Sequence, residues 1–208
     1  MSLAAWWREK AAGFRGRAGS TSIRLAESRF LLLDIDVTGL DGRRDRARGV
    51  ATLPLHDRIF RISEIAYIDL ATPGQCGLSG SAGSQNPYHD LVEAMAGHLV
   101  VTYNPRFVRH MISRTAGIGG LAQAGSRWLD LRWLLTGVFG SDMGDIPSMR
   151  RWTRRFNIEQ LSEHMAAGDV VAMAQLLQVV LAYCEDLGIM TLERLMEAKA
   201  SSDWLRGE

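Results

Sequence analysis

Phe30-Leu31-Leu32-Leu33-Asp34-Ile35-Asp36 leaves a folding chain few options. Such a run, continuing into Val37-Thr38-Gly39-Leu40, reads as a strand buried on both faces. Alternate residues of a strand share a face, so Asp34 and Asp36 point the same way at the strand's end. Two anions so placed repel and raise each other's pKa unless a cation lies between them. A hard divalent ion such as Mg2+ or Mn2+ prefers oxygen ligands and meets that need. The alternative is that one Asp caps the turn into Thr38-Gly39 while the other is solvated.

The 208 residues suit one domain with small extensions, long enough to bury a sizeable core. With 47% hydrophobic and 23% charged residues, the composition is that of a soluble globular protein. A net charge of +1 creates no global field for a polyanionic partner. Cations are almost all arginine, Lys10 and Lys199 being the lysines. Arginine meets phosphate in bidentate geometry, yet heavy arginine use equally reflects genome composition. Cys76 and Cys184 form no metal spacing or disulfide framework and suit a reducing cytoplasm. No apolar stretch reaches the length of a membrane span. Arg8, Glu9 and Lys10 interrupt the short apolar start, which is not a signal-peptide core. A cytoplasmic protein with no membrane partner is expected.

Residues 1–28 read as a helical extension and linker, 29–200 as one α/β domain and 201–208 as a tail. Trp6 and Trp7 either pack back on the domain or dock on a membrane surface or partner. Strands are predicted from Arg29 to near Asp36, from Gly49 to Leu55 and from Ile59 to Leu70. The last two meet at a hairpin turn, His56-Asp57-Arg58. Thr72 to Pro87 reads as a loop. A helix over Leu91 to His98, a strand over Leu99 to Tyr103 and a helix over Arg106 to Thr115 follow. Beyond a loop at Gly117 to Gly125, Leu129 to Phe139 is apolar and helical. Ser148 to Phe156 is a basic helix whose charges read as a solvated face, and Asp169 to Leu187 is a long apolar helix. Leu192 to Ala198 closes the chain.

Asp34-Ile35-Asp36-Val37-Thr38-Gly39-Leu40 resembles the first motif of the DnaQ-like 3'-5' exonucleases, Asp-x-Glu-x-Thr-Gly-Leu, with Asp36 in place of the Glu. These DEDD nucleases include the proofreading epsilon subunit of bacterial DNA polymerase III. Asn104, Phe107 and Met111 fit the second motif, whose catalytic Asp is replaced by Val108. His164, Ala166 and Asp169 fit the third. The motifs come in family order over roughly residues 29 to 185.

The resemblance implies a ribonuclease H-like mixed sheet flanked by helices. It also implies metal-dependent hydrolysis of single-stranded DNA or RNA 3' ends, releasing nucleoside monophosphates. Asp34 would bridge up to two Mg2+ or Mn2+ ions, and Asp36 and Asp169 would complete the first site. Val108 offers no lone pair for the second. His164 would be the general base, for which an imidazole with a pKa of about 6.5 is suited. Its alternative is a loop histidine hydrogen-bonded to backbone. Thr38 and Leu40 would contact the terminal nucleotide, Thr38 being otherwise a turn residue. Asn104 and Phe107 would lie at the substrate while fixing the strand-to-helix turn. A DNA polymerase subunit is an implied partner. The alternative function is a catalytically inactive pseudo-exonuclease that binds nucleic acid or protein. Asp130 reads as a helix N-terminal cap or core hydrogen-bonder.

Overall fold

The computed structural model describes residues 23–70, 87–116, 127–139, 148–160 and 165–196. Five strands form one sheet: β1 (Arg29–Val37), β2 (Ala47–His56), β3 (Ala66–Asp69), β4 (Leu99–Thr102) and β5 (Arg127–Asp130). The helices are α1 (Pro87–Met95), α2 (Pro105–Ala116), α3 (Leu131–Phe139), α4 (Met149–Arg155) and α5 (Ala166–Asp186), with a further turn over 192–196. Strand order is β3-β2-β1-β4-β5. β1, β2 and β3 pair antiparallel, while β4 and β5 run parallel to β1. This is the mixed sheet with flanking helices that the family resemblance implies.

The apolar run is buried on both faces because it lies at the centre of that sheet. Phe30 and Leu32 join a core with residues of α3, α4 and α5. Leu31, Leu33 and Ile35 join another with Leu91 and Met95 of α1 and Val108, Met111 and Ile112 of α2. The segment before β1 is tied in as well: Leu25 is 1% exposed, and its N–H donates to the Met190 carbonyl at 2.9 Å.

The predicted hairpin turn at His56-Asp57-Arg58 is present. Asp57 and Arg58 both take positive φ, 50° and 63°, while His56 and Ile59 exchange backbone hydrogen bonds of 3.0 and 2.7 Å. Such a turn favours Asn or Gly, so the strain needs support from elsewhere. α5 supplies it: Glu185 pairs with the Arg58 guanidinium, and Gln178 Nε2 donates to the Arg58 carbonyl at 2.6 Å.

Three sequence expectations need correction. The strand expected over Ile59 to Leu70 is confined to Ala66–Asp69, after a single 3-10 turn at Ile62–Glu64. Pairing of β2 with β3 stops at Thr52–Ala66, short of Pro54, which has no N–H to donate. Leu129 and Asp130 are strand rather than helix, because β5 pairs with β4 before α3 begins. Finally, Ala166–Asp186 is long and apolar enough to cross a membrane by length and composition. Here it packs against β1, β2 and α3, and a helix walled on most sides reads as apolar all round. Asp130 does cap α3, accepting the Arg132 N–H at 2.9 Å. Burial pushes the Cys184 thiol up to about 12, so it is inert near neutrality. The 1–22 and 201–208 segments, the Thr72 to Pro87 loop up to residue 86, the Gly117 to Gly125 loop and Cys76 lie outside the described residues.

His56, closing β2, and His98, preceding β4, approach with Nε2 atoms 2.9 Å apart. Ring centroids 5.1 Å apart and planes within 10° describe an edge-to-edge N–H···N bond rather than stacked faces. His98 Nδ1 donates to the Ala96 carbonyl at 3.0 Å, so its Nε2 is the acceptor and His56 the donor. Burial, with Arg29 and His56 nearby, holds His98 below the ordinary 6.5. The unfolded chain therefore binds the proton more readily. The contribution of neutral His98 to stability is complete above pH 6.5 and is lost as pH falls through the lower folded-state value. Urea midpoints at pH 7.5 and 5 should accordingly differ between the parent and His98→Gln, the parent losing more on acidification. Equal losses would mean the pair carries no such linkage.

Candidate active site

The alternation along β1 decides where its acids point. Phe30 and Leu32 face the α5 side, and the period of two turns Asp34 and Asp36 the same way. Asp169 lies in the first turn of α5 and is 8% exposed. The three acids thus gather at the end of β1, and their fields overlap. Burial first, then the Asp169 carboxylate and, more weakly, that of Asp36, push Asp34 up to about 7. Gln160 Nε2 donates to Asp169 Oδ1 at 3.3 Å.

Asp36 is engaged on both oxygens. Its Oδ1 accepts the N–H of Ala166, first residue of α5, at 2.9 Å, and its Oδ2 accepts the Tyr67 hydroxyl at 2.9 Å. Met165, at the helix N-cap, makes no side-chain capping bond. An acid 130 residues away supplies the missing acceptor at the positive end of the helix dipole. Tyr67 reaches Asp36 by lying across Gly49, the register partner of Asp36. A Cβ at Gly49 would fall 2.2 Å from Tyr67 Oη and 2.3 Å from Cζ. Burial and the bond to Asp36 push the Tyr67 hydroxyl up to about 12. Sequence reasoning missed both residues. The available signal was a glycine inside a strand pattern, which marks close approach of another group.

Spacing sets a limit on what these acids do together. Among the described residues, one set of three His, Cys, Asp or Glu side chains has ligand atoms all within 4.8 Å of one another: His89, Asp90 and Glu93 of α1. Asp34, Asp36 and Asp169 are spread more widely, with Asp36 drawn aside by Ala166 and Tyr67. The donor chemistry suits a hard cation, because every ligand is oxygen and one half-buried carboxylate is raised by desolvation and by its neighbours. Asp34 and Asp169 fit that description best. Asp36 would have to use the lone pairs its two hydrogen bonds leave over.

The other predicted residues fall as follows. A bulge between Asp36 and Val37 ends the regular β1–β2 ladder, and the chain turns through 38–46. There the Thr38 hydroxyl donates to Asp45 Oδ1 at 2.9 Å and its N–H to the Arg46 carbonyl at 3.0 Å. Both Thr38 donors are occupied within the loop, so contact with a nucleotide requires exchange of one bond. Leu40 is 82% exposed. Asn104 takes φ 134°, a region few non-glycine residues adopt. Its Oδ1 accepts the Phe107 N–H at 3.3 Å, and Pro105 takes the first position of α2. Val108 is 3% exposed and belongs to the apolar cluster on the sheet face opposite Asp34 and Asp36. His164 lies outside the described residues.

No protein-family model matches the chain, and no curated protein matches its sequence. Solved structures do match. The zinc ion bound form of the E. coli exonuclease I–ssDNA complex superposes with a TM-score of 0.57 at 16% identity, over 77% of this chain and 42% of that one. E. coli exonuclease I with a dA16 oligonucleotide gives the same values: 0.57, 16%, 77% and 42%. A further E. coli exonuclease I structure gives 0.55 at 14% identity, over 82% of this chain and 43% of that one. The chain therefore spans less than half the length of these proteins. At such identity the likeness concerns the fold, and the fold is the ribonuclease H-like one of exonuclease I.

Proposed function

We propose that the chain is a metal-dependent 3'-5' exonuclease acting on single-stranded nucleic-acid 3' ends. One observation carries this reading: Asp34, half-buried beside Asp169 and Asp36, is raised to about 7 by desolvation and by their charge. A fold gains nothing from placing acids so, whereas a divalent cation would turn the repulsion into ligation. Two of the E. coli structures that share the fold hold ssDNA or a dA16 oligonucleotide, which supports the substrate class.

In this reading Asp34 and Asp169 hold Mg2+ or Mn2+, with Asp36 as a further ligand. The chemistry such a site supplies when loaded is a more acidic water and neutralisation of charge gathering on the phosphoryl oxygens. His164 takes the proton from the attacking water. Thr38 and Leu40 seat the terminal nucleotide, and Asn104 and Phe107 also contact the substrate. The domain would run over residues 29–200 in the cytoplasm, and a DNA polymerase subunit remains the partner implied by the motifs. Degradation of a single strand labelled at its 3' end decides the matter. Label should leave as mononucleotide with Mg2+ or Mn2+ and stay intact in EDTA. Equal persistence in all three would sink the proposal.

Val108 favours a second reading, a non-cutting module on the same fold, since it sits where the second motif places an acid. Val108→Asp separates the two. In metal-free protein it should cost on the order of 3 kcal/mol, because it buries an unpaired charge in an apolar cluster. If position 108 reaches the metal site, saturating Mn2+ should return part of that stability and raise the rate of strand degradation. A variant that Mn2+ neither stabilises nor activates leaves the non-cutting reading in place.

A further inference from the structure

The outer face of α2 carries charge that the acid cluster does not explain. Arg106, Arg109, His110, Ser113 and Arg114 recur at helical spacing along one face, and α2 contains no acidic residue. Like charges so spaced weaken a helix slightly. Asn104, Arg106, Phe107, Arg109, His110 and Ser113 line an open groove of about 680 Å³ on this face. The Arg109 guanidinium lies 5.8 Å from the Trp128 ring centroid, which limits its freedom.

More arginines are held at the end of the groove. His110 Nε2 donates to the Gly42 carbonyl at 2.8 Å, and Arg114 Nη1 donates to the same oxygen at 2.6 Å. This pins the 38–46 loop, with its exposed Arg43, Arg44 and Arg46, against α2. The two loop acids are engaged locally. Asp45 accepts from Thr38 and the Asp41 N–H, and Asp41 accepts the Arg43 N–H. Arg44 stands 3.8 Å from Asp41 and is 86% exposed. In a chain of net charge +1, this is a concentrated positive face. It begins at the end of the sheet that carries the acids, although α2 covers the opposite sheet face: Asn104 stands three residues past Val101, whose β1 partner Leu32 stands two before Asp34.

We propose that this face is a track for the phosphodiester backbone of a single strand, with Arg106 and Arg109 bonding successive phosphates and Phe107 offering a surface to a base. Arginine suits phosphate through its bidentate fork, and a basic groove with an aromatic wall is how single strands are held without sequence preference. The direction of the strand, toward Asp34, rests on the nuclease reading; the binding itself does not.

Anisotropy of labelled oligothymidylate and oligouridylate, titrated in EDTA across a salt series, tests the track. The parent should bind, with log K falling linearly in log salt. Arg106→Gln/Arg109→Gln should bind more weakly and flatten that slope by about 1.4, at roughly 0.7 per lost phosphate contact on a single strand. Arg151→Gln/Arg154→Gln, on the exposed face of α4, should match the parent. Arg106→Lys/Arg109→Lys should keep the slope, which guards against a misfolded glutamine variant. Parent-like affinity and slope in the glutamine variant would overturn the track, as would no binding by the parent. A parent that binds by this face yet degrades nothing with Mn2+ would sink the nuclease reading alone. Degradation without any effect of Arg106 and Arg109 on binding would sink the track alone.

Discussion

Asp34→Asn should make the metal-free protein more stable at pH 8 while abolishing the proposed hydrolysis of nucleic acid. The folded protein holds the Asp34 proton up to about pH 7, the unfolded chain only to 3.8. Between those values the folded state binds more protons, so stability falls as pH rises and the loss is complete above about 7. The difference corresponds to on the order of 4 kcal/mol, which an uncharged amide avoids. Denaturant unfolding in EDTA at pH 8 and pH 4.5 measures it. The parent should be more stable at pH 4.5 than its remaining groups predict, and the variant should lack that gain. Mn2+ should raise the melting temperature of the parent at pH 8 and leave Asp34→Asn unmoved. A variant no more stable than the parent in EDTA would mean that Asp34 is not held under repulsion.

The second large effect belongs to His164. As the general base proposed above it should contribute on the order of 10²–10⁴ in rate, so His164→Ala should lose that much in single-turnover strand degradation. Mn2+ binding, followed by thermal shift, should change little. The remaining activity should rise with pH where hydroxide replaces the lost base, flattening the parent's inflection near the imidazole pKa of about 6.5. A parent-like rate for His164→Ala across roughly pH 6–9 removes His164 from the mechanism.

How much of this was legible in the sequence follows from the range of each signal. β1 was legible because four apolar residues in a row, Phe30 to Leu33, with Ile35 beyond, report burial on both faces, and the period of two then oriented Asp34 and Asp36. Asp130 was legible because capping acts within two residues. β5 was not: four residues running into an apolar helix carry no period of their own, and its pairing with β4 alone defines it. The break before β3 depended on Pro54 in a different strand. The link from Tyr67 across Gly49 to Asp36, and on to Ala166, joins four segments that only the folded sheet brings together. The engagement of both Thr38 donors likewise depended on a loop closure that no motif records.

The bond from Asp36 to the first N–H of α5 has a bearing on how inactive relatives of 3'-5' exonucleases should be diagnosed. A helix-end acceptor of this kind is worth about 1 kcal/mol. A chain that had stopped cutting nucleic acid would therefore still be weakened by exchanging Asp36, and an acid at that position is a poor witness to catalysis. Asp34 is the opposite case, since it weakens the metal-free fold wherever it is charged. Tallying motif acids gives the two equal votes. The informative vote is the one the fold would be better off without.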